Sequence, residues 1–288
     1  MPQSPTSRLT GLVHLMRPKQ WIKNGFVLAP LIFTGKFLDL TAIGEALTAT
    51  LLFCLAASSA YIVNDIQDRE RDRLHPKKSK TRPIASGVVS IRAAIALLTA
   101  LYALVISLGL TMLPVLGVIL GYLCLNWAYS FWLKHQPVLD IFTIAFGFVL
   151  RVYAGALALT VPLSSWMFIT TFCLALYLAA IKRRQELEQR GVEGRKVLES
   201  YSVALVDRYA EMAATGALIF YSLFVMSAKP QLVVSIPFVL FGLFRYWYVV
   251  ESLEGGESPT DALITDKPLL VTVSLWILAC GWALWPTP

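Results

Sequence analysis

The sequence predicts an all-α, polytopic membrane protein, and three observations carry that prediction. Of 288 residues, 57% are hydrophobic and only 15% charged, where a soluble domain has about 45–50% and about 25%. The mean hydropathy is +0.64. The apolar residues also gather into runs, and a run of about 17–25 apolar residues is what the roughly 30 Å hydrocarbon layer requires. Such a composition excludes a disordered chain, a collagen-like repeat and a disulfide-stapled miniprotein.

Nine runs meet the requirement, at 24–41, 43–63, 91–111, 113–133, 138–160, 163–181, 209–228, 230–250 and 268–286. Pro30 and Lys36 interrupt the first of them. The second ends in an acidic stretch, and a long polar connection, 64–90, leads into the third. Pro114, Pro162, Pro230 and Pro268 stand at or near the starts of the fourth, sixth, eighth and ninth; a missing N–H does no harm there. The fourth and fifth are joined by 134–137, the sixth and seventh by the polar 182–208, and the eighth and ninth by 251–267. Cys54, Cys124, Cys173 and Cys280 each lie inside an apolar run with no CxxC or His/Cys cluster, so they read as small core residues. The short apolar patch at 12–16 stops at Arg17-Pro18-Lys19, and no cleavable leader is expected. No linker, low-complexity tract or repeat divides the chain, so 1–288 reads as one domain.

Charge gives the expected orientation. All 25 Lys and Arg except Lys36, Arg151, Lys229 and Arg245 fall in the N-terminal segment, in 64–92, at 134, in 182–208 or at 267. The positive-inside rule makes that side cytoplasmic and, with nine spans, puts the C-terminus outside. All 18 Asp and Glu except Asp39 and Glu45 gather on the same side. Topology does not require those acids, and a face rich in both signs suits metal ions and phosphates. The basic charge is confined to short membrane loops, so nucleic acid is not an expected partner.

Asn64-Asp65-x-x-Asp68-x-x-x-Asp72 closes the second run. On a continuing helix the three aspartates share one face. Asp65 and Asp72 would stand about 10 Å apart along the axis, too far to share one ion but suited to ions straddling a diphosphate. Hard carboxylates of this kind fit Mg²⁺, which takes substrate phosphates as further ligands. The competing reading is a solvated helix end whose acids pair with Arg69, Arg71 and Arg73. Downstream, His75-Pro-Lys77-Lys78-Ser-Lys80-Thr-Arg82 forms a cationic strap. Lys80 and Arg82 are candidates for phosphate binding, whereas Lys77 and Lys78 read as topology or head-group contacts.

These residues resemble the first aspartate-rich motif of the UbiA-type intramembrane prenyltransferase superfamily, and nine spans with the motif after the second match that family's layout over nearly the whole chain. The resemblance implies nine transmembrane helices around a central cavity with a cytoplasmic polar cap. It also implies a transferase in the cell membrane that binds a diphosphate through Mg²⁺, with Asp65, Asp68 and Asp72 as metal-binding and catalytic residues. Members that use prenyl diphosphates carry a second Asp-x-x-x-Asp after the sixth helix. Here that place reads Lys182-Arg183-Arg184-Gln185-Glu186. More cations and fewer carboxylates favour a donor with extra phosphate charge.

Arg17-Pro18-Lys19-Gln20-Trp21-Ile22-Lys23-Asn24 points the same way, with Lys19 and Lys23 one turn apart, although it also reads as an interfacial helix with a Trp anchor. With 182–186 and the stretch from Ser258 through Asp261 to Lys267-Pro268, the pattern is similar to the branch that moves 5-phosphoribosyl from phosphoribosyl diphosphate to a polyprenyl (decaprenyl) phosphate. That resemblance makes Lys19, Lys23, Asn24, Asn64, Lys80, Arg82, Tyr129, Lys134, Asp140, Arg151, Lys182, Glu186, Asp261 and Lys267 expected substrate-binding residues. Arg151 lies deep in the fifth run, three turns from Asp140 on the same face. An arginine there costs about 2.5–3.5 kcal/mol unpartnered, so it should face the cavity and a lipid phosphate, or bridge to another helix. Arg245 near the end of the eighth run reads as a snorkelling side chain.

An anionic acceptor needs no general base, in keeping with three unclustered histidines, His14, His75 and His135. Two other readings stay open: a prenyltransferase acting on an aromatic acceptor, and a non-enzymatic polyprenyl-lipid carrier. The sequence leaves lipid length, the number of metal ions and oligomeric state undetermined.

Overall fold

The computed structural model describes residues 5–74, 78–190, 196–252 and 259–285. His75, Lys77 and Ser258 therefore lie outside the described residues. In chain order the helices are α1 (Pro5–Met16), α2 (Ala29–Phe33), α3 (Leu40–Gln67), α4 (Arg69–Leu74), α5 (Lys78–Thr81), α6 (Ile91–Gly109), α7 (Leu113–Phe131), α8 (Leu139–Ala158), α9 (Ser165–Arg190), α10 (Val203–Ala228), α11 (Ile236–Ser252), α12 (Pro259–Thr265) and α13 (Lys267–Ala283). Short 3₁₀ segments at Pro18–Leu28, Leu133–His135, Lys196–Ser200 and Pro230–Ser235 join them. Among the described residues there is no strand.

Seven helical stretches are long and apolar enough to cross a membrane: α3, α6, α7, α8, α9 as far as Glu188, α10, and Pro230–Ser252. They coincide closely with seven of the nine expected runs. The ninth run becomes α13, an apolar helix of 17 residues, somewhat short of the usual span. The first differs in kind. Instead of one helix, 24–41 is the end of a 3₁₀ segment, the five-residue α2 and a turn through Gly35 at φ +73°. Pro18, Pro30 and the left-handed Gly35 break the helical ladder, and tertiary contacts take over its work.

Those contacts are specific. Trp21 Nε1 donates to Ser58 Oγ at 3.0 Å, and Ser58 Oγ donates to the Met16 carbonyl at 2.9 Å. Asn24, fully buried, donates to Cys54 Sγ at 3.2 Å. On the other side the segment lies so close to α8 that a Cβ on Gly155 would sit 1.9 Å from the Val27 carbonyl oxygen. The 3₁₀ segment is thus wedged between α3 and α8.

The centre of the bundle is built from α3 and α8, both heavily buried, while α6, α7 and Pro230–Ser252 are mostly exposed along their apolar faces. One core packs Leu52, Phe53, Leu101, Val105, Ile119 and Tyr122 from α3, α6 and α7. A second packs Tyr177, Ile181, Ala210, Leu243 and Tyr246 from α9, α10 and α11. Exposed apolar residues such as Leu104, Leu120, Phe244 and Leu278 face outward, which lipid accepts and water would not. The polar ends of α3, α7, α8 and α9 meet where these two halves join.

Candidate functional site

Asp65 lies in the last turn of α3, Asp68 caps that helix, and Asp72 lies in α4. The helix breaks at Asp68, yet helical hydrogen bonds run on across it: Asp68 N donates to the Asn64 carbonyl at 2.9 Å and Asp72 N to the Asp68 carbonyl at 2.8 Å. The spacing therefore survives the break. Asp65 and Asp72 are buried at 2% exposure each.

Each carboxylate is held by a cation from another part of the chain. Arg17, in the left-handed conformation before Pro18, and Arg82, beyond α5, both bind Asp65 Oδ1. Lys134 Nζ, 3% exposed, binds Asp68 at 2.7 Å, and Lys78 approaches Asp72 at 3.3 Å. Arg69, Arg71 and Arg73 were the expected partners if this were only a solvated helix end. The ion pairs described for the aspartates run to Arg17, to Lys78 and Arg82 in the strap just downstream, and to Lys134. Arg17 was missed as a site residue and Lys78 assigned to the membrane surface. An arginine followed by proline at a helix end is the signal that could have found Arg17.

The other Asp65 oxygen, Oδ2, is buried and has no hydrogen-bond partner. A buried carboxylate oxygen left without a donor is costly, and a cation there would satisfy it. Among the described residues no group of three or more metal-type side chains converges on one point. The arrangement accordingly suits an ion that takes one or two carboxylates and completes its shell with water and phosphate.

Lys23 lies on the 3₁₀ segment, half-buried. Burial, together with Arg151 and Arg17 nearby, pushes its ammonium down to about 8, and only Asp261 pulls the other way. A lysine among like charges with little water is a standing demand for an anion. Asn64 is half-buried beside the aspartates. Asp261, on α12, is half-buried and lies within electrostatic reach of Lys23. Lys182 is half-buried on α9. Lys19, Lys80 and Lys267 are exposed.

Arg151 takes the second of the two roles expected for it, a bridge to neighbouring segments. At 5% exposure it does not line an open cavity. Its Nε donates to Asn24 Oδ1 at 2.8 Å, its two terminal nitrogens to the Gly147 carbonyl at 2.8 Å and to the Tyr122 hydroxyl at 3.1 Å. Its guanidinium also lies 5.6, 4.8 and 5.3 Å from the ring centres of Phe53, Tyr122 and Phe148. Neutral acceptors and ring faces satisfy it, and its Asn24 bond anchors the 3₁₀ segment that carries Lys23. Asp140, three turns away on the same face and too far for a direct contact, has its own partners: Asp140 Oδ2 accepts from Arg183 Nε at 2.6 Å and Oδ1 from the Tyr201 hydroxyl at 2.7 Å.

The basic cluster after the sixth run proves to be helix. α9 continues through it, so Arg183 and Glu186 are one turn apart and paired. Arg183, with no exposed surface, also donates to the Tyr129 hydroxyl at 3.3 Å. Arg184 turns away from the site, to Asp207 and Glu188, each at 2.9 Å. Arg183 and Tyr201 had not been expected at the site; a tyrosine in a polar connection gives no sequence signal of its own. Arg245 does not snorkel freely either. It makes a forked pair with Asp266, at 3.0 and 2.7 Å, and Asp266 caps α13 through Leu269 N. A cleft of about 500 Å³ between α9, α10 and α11 lies away from the three aspartates, none of which lines it.

The UbiA prenyltransferase family profile matches residues 27–262. A decaprenyl-phosphate phosphoribosyltransferase of Corynebacterium glutamicum is 36% identical, over 99% of this chain and 90% of its own. One of Mycolicibacterium smegmatis is 37% identical, over 98% of this chain and 94% of its own. In fold, the structure is similar to a UbiA homologue of Archaeoglobus fulgidus bound to DMAPP and Mg²⁺, with a TM-score of 0.72 and 20% identity over 95% of this chain and 98% of that one.

Proposed function

The chain belongs to the UbiA prenyltransferase family, and from that premise we propose that it transfers 5-phosphoribosyl from phosphoribosyl diphosphate to decaprenyl phosphate, releasing diphosphate. The observation that carries this reading is the full-length similarity, at 36–37% identity, to two decaprenyl-phosphate phosphoribosyltransferases. The site supports it independently. Arg17, Arg82, Lys78 and Lys134 surround three aspartates, with Lys23 close by, so the cations exceed the carboxylates. A donor with a 5-phosphate and a diphosphate uses that excess.

The residues fit a Mg²⁺ ion: hard carboxylate oxygens are present, and the buried Asp65 Oδ2 has no partner. Asp65, Asp68 and Asp72 would hold Mg²⁺ between them, one or two carboxylates to an ion. When bound, it supplies charge neutralisation on the departing diphosphate. The rest is done by the chain. Arg82 and Arg17 present planar forks to phosphate oxygens, while Lys23, Lys78 and Lys134 act as point charges. These cations hold the diphosphate in line for departure and stabilise the charge that builds on it as the bond to the ribose anomeric carbon breaks. The attacking oxygen belongs to a lipid phosphate already anionic at neutral pH. No proton has to be removed from it. In this reading, too, the polar ends face the cytoplasm across the cell membrane and cap a cavity framed by nine membrane segments, the broken 3₁₀–α2 segment and α13 completing the seven long spans.

The test is a donor comparison on the purified protein in detergent with Mg²⁺. Labelled phosphoribosyl diphosphate with decaprenyl phosphate should yield a labelled lipid that EDTA abolishes. Product only from a prenyl diphosphate with an aromatic acid would overturn the phosphoribosyl reading in favour of ordinary prenyl transfer. A folded protein silent in both mixtures would overturn it in favour of a carrier.

A further inference from the structure

Val138 is a β-branched residue at φ +68°, a conformation that costs free energy unless its surroundings enforce it. It caps the start of α8, and its N–H donates to the Tyr201 hydroxyl at 2.6 Å. The same hydroxyl donates to Asp140 Oδ1 at 2.7 Å. Burial pushes the Tyr201 phenol well above its ordinary range, so the hydroxyl keeps its proton and remains that donor. Asp140, fully buried, passes the alignment on by accepting from Arg183 Nε at 2.6 Å. Arg183 then spends its remaining nitrogens on Glu186 and on the Tyr129 hydroxyl.

The series starts in the connection before α10, crosses the entry of α8 and ends on α9 and α7. Its inner members are out of water, while its last carboxylate is not: the Glu186 side chain is 15% exposed. A buried ion pair is a weak contributor to stability when replaced as a unit. Holding one partly exposed carboxylate in one place is what this one can do well.

We propose that Tyr201 and Arg183 are positioning residues, acting through Asp140 to fix Glu186 as the carboxylate of the second polar connection in the donor site. The inference rests on the proposed phosphoribosyl reading and on the expectation, from the family resemblance, that Glu186 binds substrate. An immobile carboxylate among cations can accept hydrogen bonds from the ribose hydroxyls of a phosphoribosyl donor, a contact a hydrocarbon donor cannot make.

The experiment compares wild type, Tyr201→Phe, Arg183→Lys, Glu186→Gln and the double variants Tyr201→Phe/Glu186→Gln and Arg183→Lys/Glu186→Gln, with donor concentration varied and folded enzyme quantified by thermal melting. Misplacement of a contact by about 1 Å can cost about 100-fold, so each single variant should raise donor KM, or lower kcat/KM, about tenfold or more. Each double variant should be no worse than Glu186→Gln alone, since residues that act as a unit do not add. Arg183→Lys, which keeps the charge but loses the fork, should fall between wild type and Glu186→Gln. Multiplicative losses in the doubles would overturn the proposal. So would variants that lose only folded protein while the survivors keep wild-type KM. A wild-type protein that binds no phosphoribosyl diphosphate by calorimetry would instead overturn the donor reading on which the inference rests.

Discussion

At the scale of single residues, charge placement decides the chemistry. Asp68, with a side chain 20% exposed, pairs with the buried Lys134, and removing its charge leaves that buried ammonium without this partner. Asp68→Asn should cut Mg²⁺-dependent turnover by about 100-fold or more, the usual cost of deleting one preorganised electrostatic group; full retained turnover would contradict the metal and diphosphate roles given to the motif. Lys23 supplies a pH test. Its ammonium titrates near 8 rather than its ordinary 10.5 because burial and Arg151 oppose the charge. Below that value the folded state bears the full cost of the buried charge. As pH rises from about 8 toward 10.5 the folded chain releases the proton first, so this group makes folding more favourable over that window. Anion binding runs the opposite way, because it needs the proton. Donor KM should therefore rise above pH 8 by up to about tenfold per pH unit, and Lys23→Met should flatten that limb while raising KM at pH 7. A wild-type KM constant from pH 7 to 9.5 would contradict the assignment.

At the scale of elements, the informative piece is the 3₁₀ segment. It has no continuous helical ladder to hold it and depends on Trp21, Asn24 and the close approach to α8. Gly155→Ala would drive a methyl into the Val27 carbonyl, where a Cβ has only 1.9 Å. Overpacking of this kind costs about 1–3 kcal/mol. Melting in detergent should drop by several degrees, and activity should fall with it because Lys23 moves. Gly242→Ala on α11 is the contrast: nothing lies within 4 Å of its Cβ, and helix propensity alone favours alanine by about 0.5–1 kcal/mol. Equal melting of the two variants would show that the segment is not wedged as described.

At the scale of the whole molecule, the site exists because two packed halves bring their polar ends to one place. The end of α3, α4 and the 3₁₀ turn after α7 contribute the aspartates and Lys134; α9 and the connection before α10 contribute Arg183, Glu186 and Tyr201; α8 stands between them. Orientation is testable at this scale. In a background lacking the four native cysteines, a cysteine at exposed Ser86 should be labelled by an impermeant thiol reagent only from the cytoplasmic face, and one at Lys229 only from the other. The reverse pattern would invert the proposed topology.

Hydrophobic runs and charge asymmetry were enough to read the class of the molecule, eight of its apolar helices to within a few residues except where α9 and α10 extend into the polar connection, and the acidic motif, because these depend on composition and spacing along the chain. The first run was not legible: whether a segment broken by Pro30 crosses as helix or wedges as 3₁₀ is decided by Ser58, Cys54 and Gly155, all distant in sequence. The partners of the charges were not legible either. Asp140 and Arg151 share a helix face, yet one goes to Arg183 and Tyr201 and the other to Asn24 and Tyr122. A buried charge settles on whatever partner the packed helices bring within hydrogen-bond reach, since at such sites the cost of leaving it unpaired exceeds any local preference. That selection is made between helices, and only the tertiary structure records it.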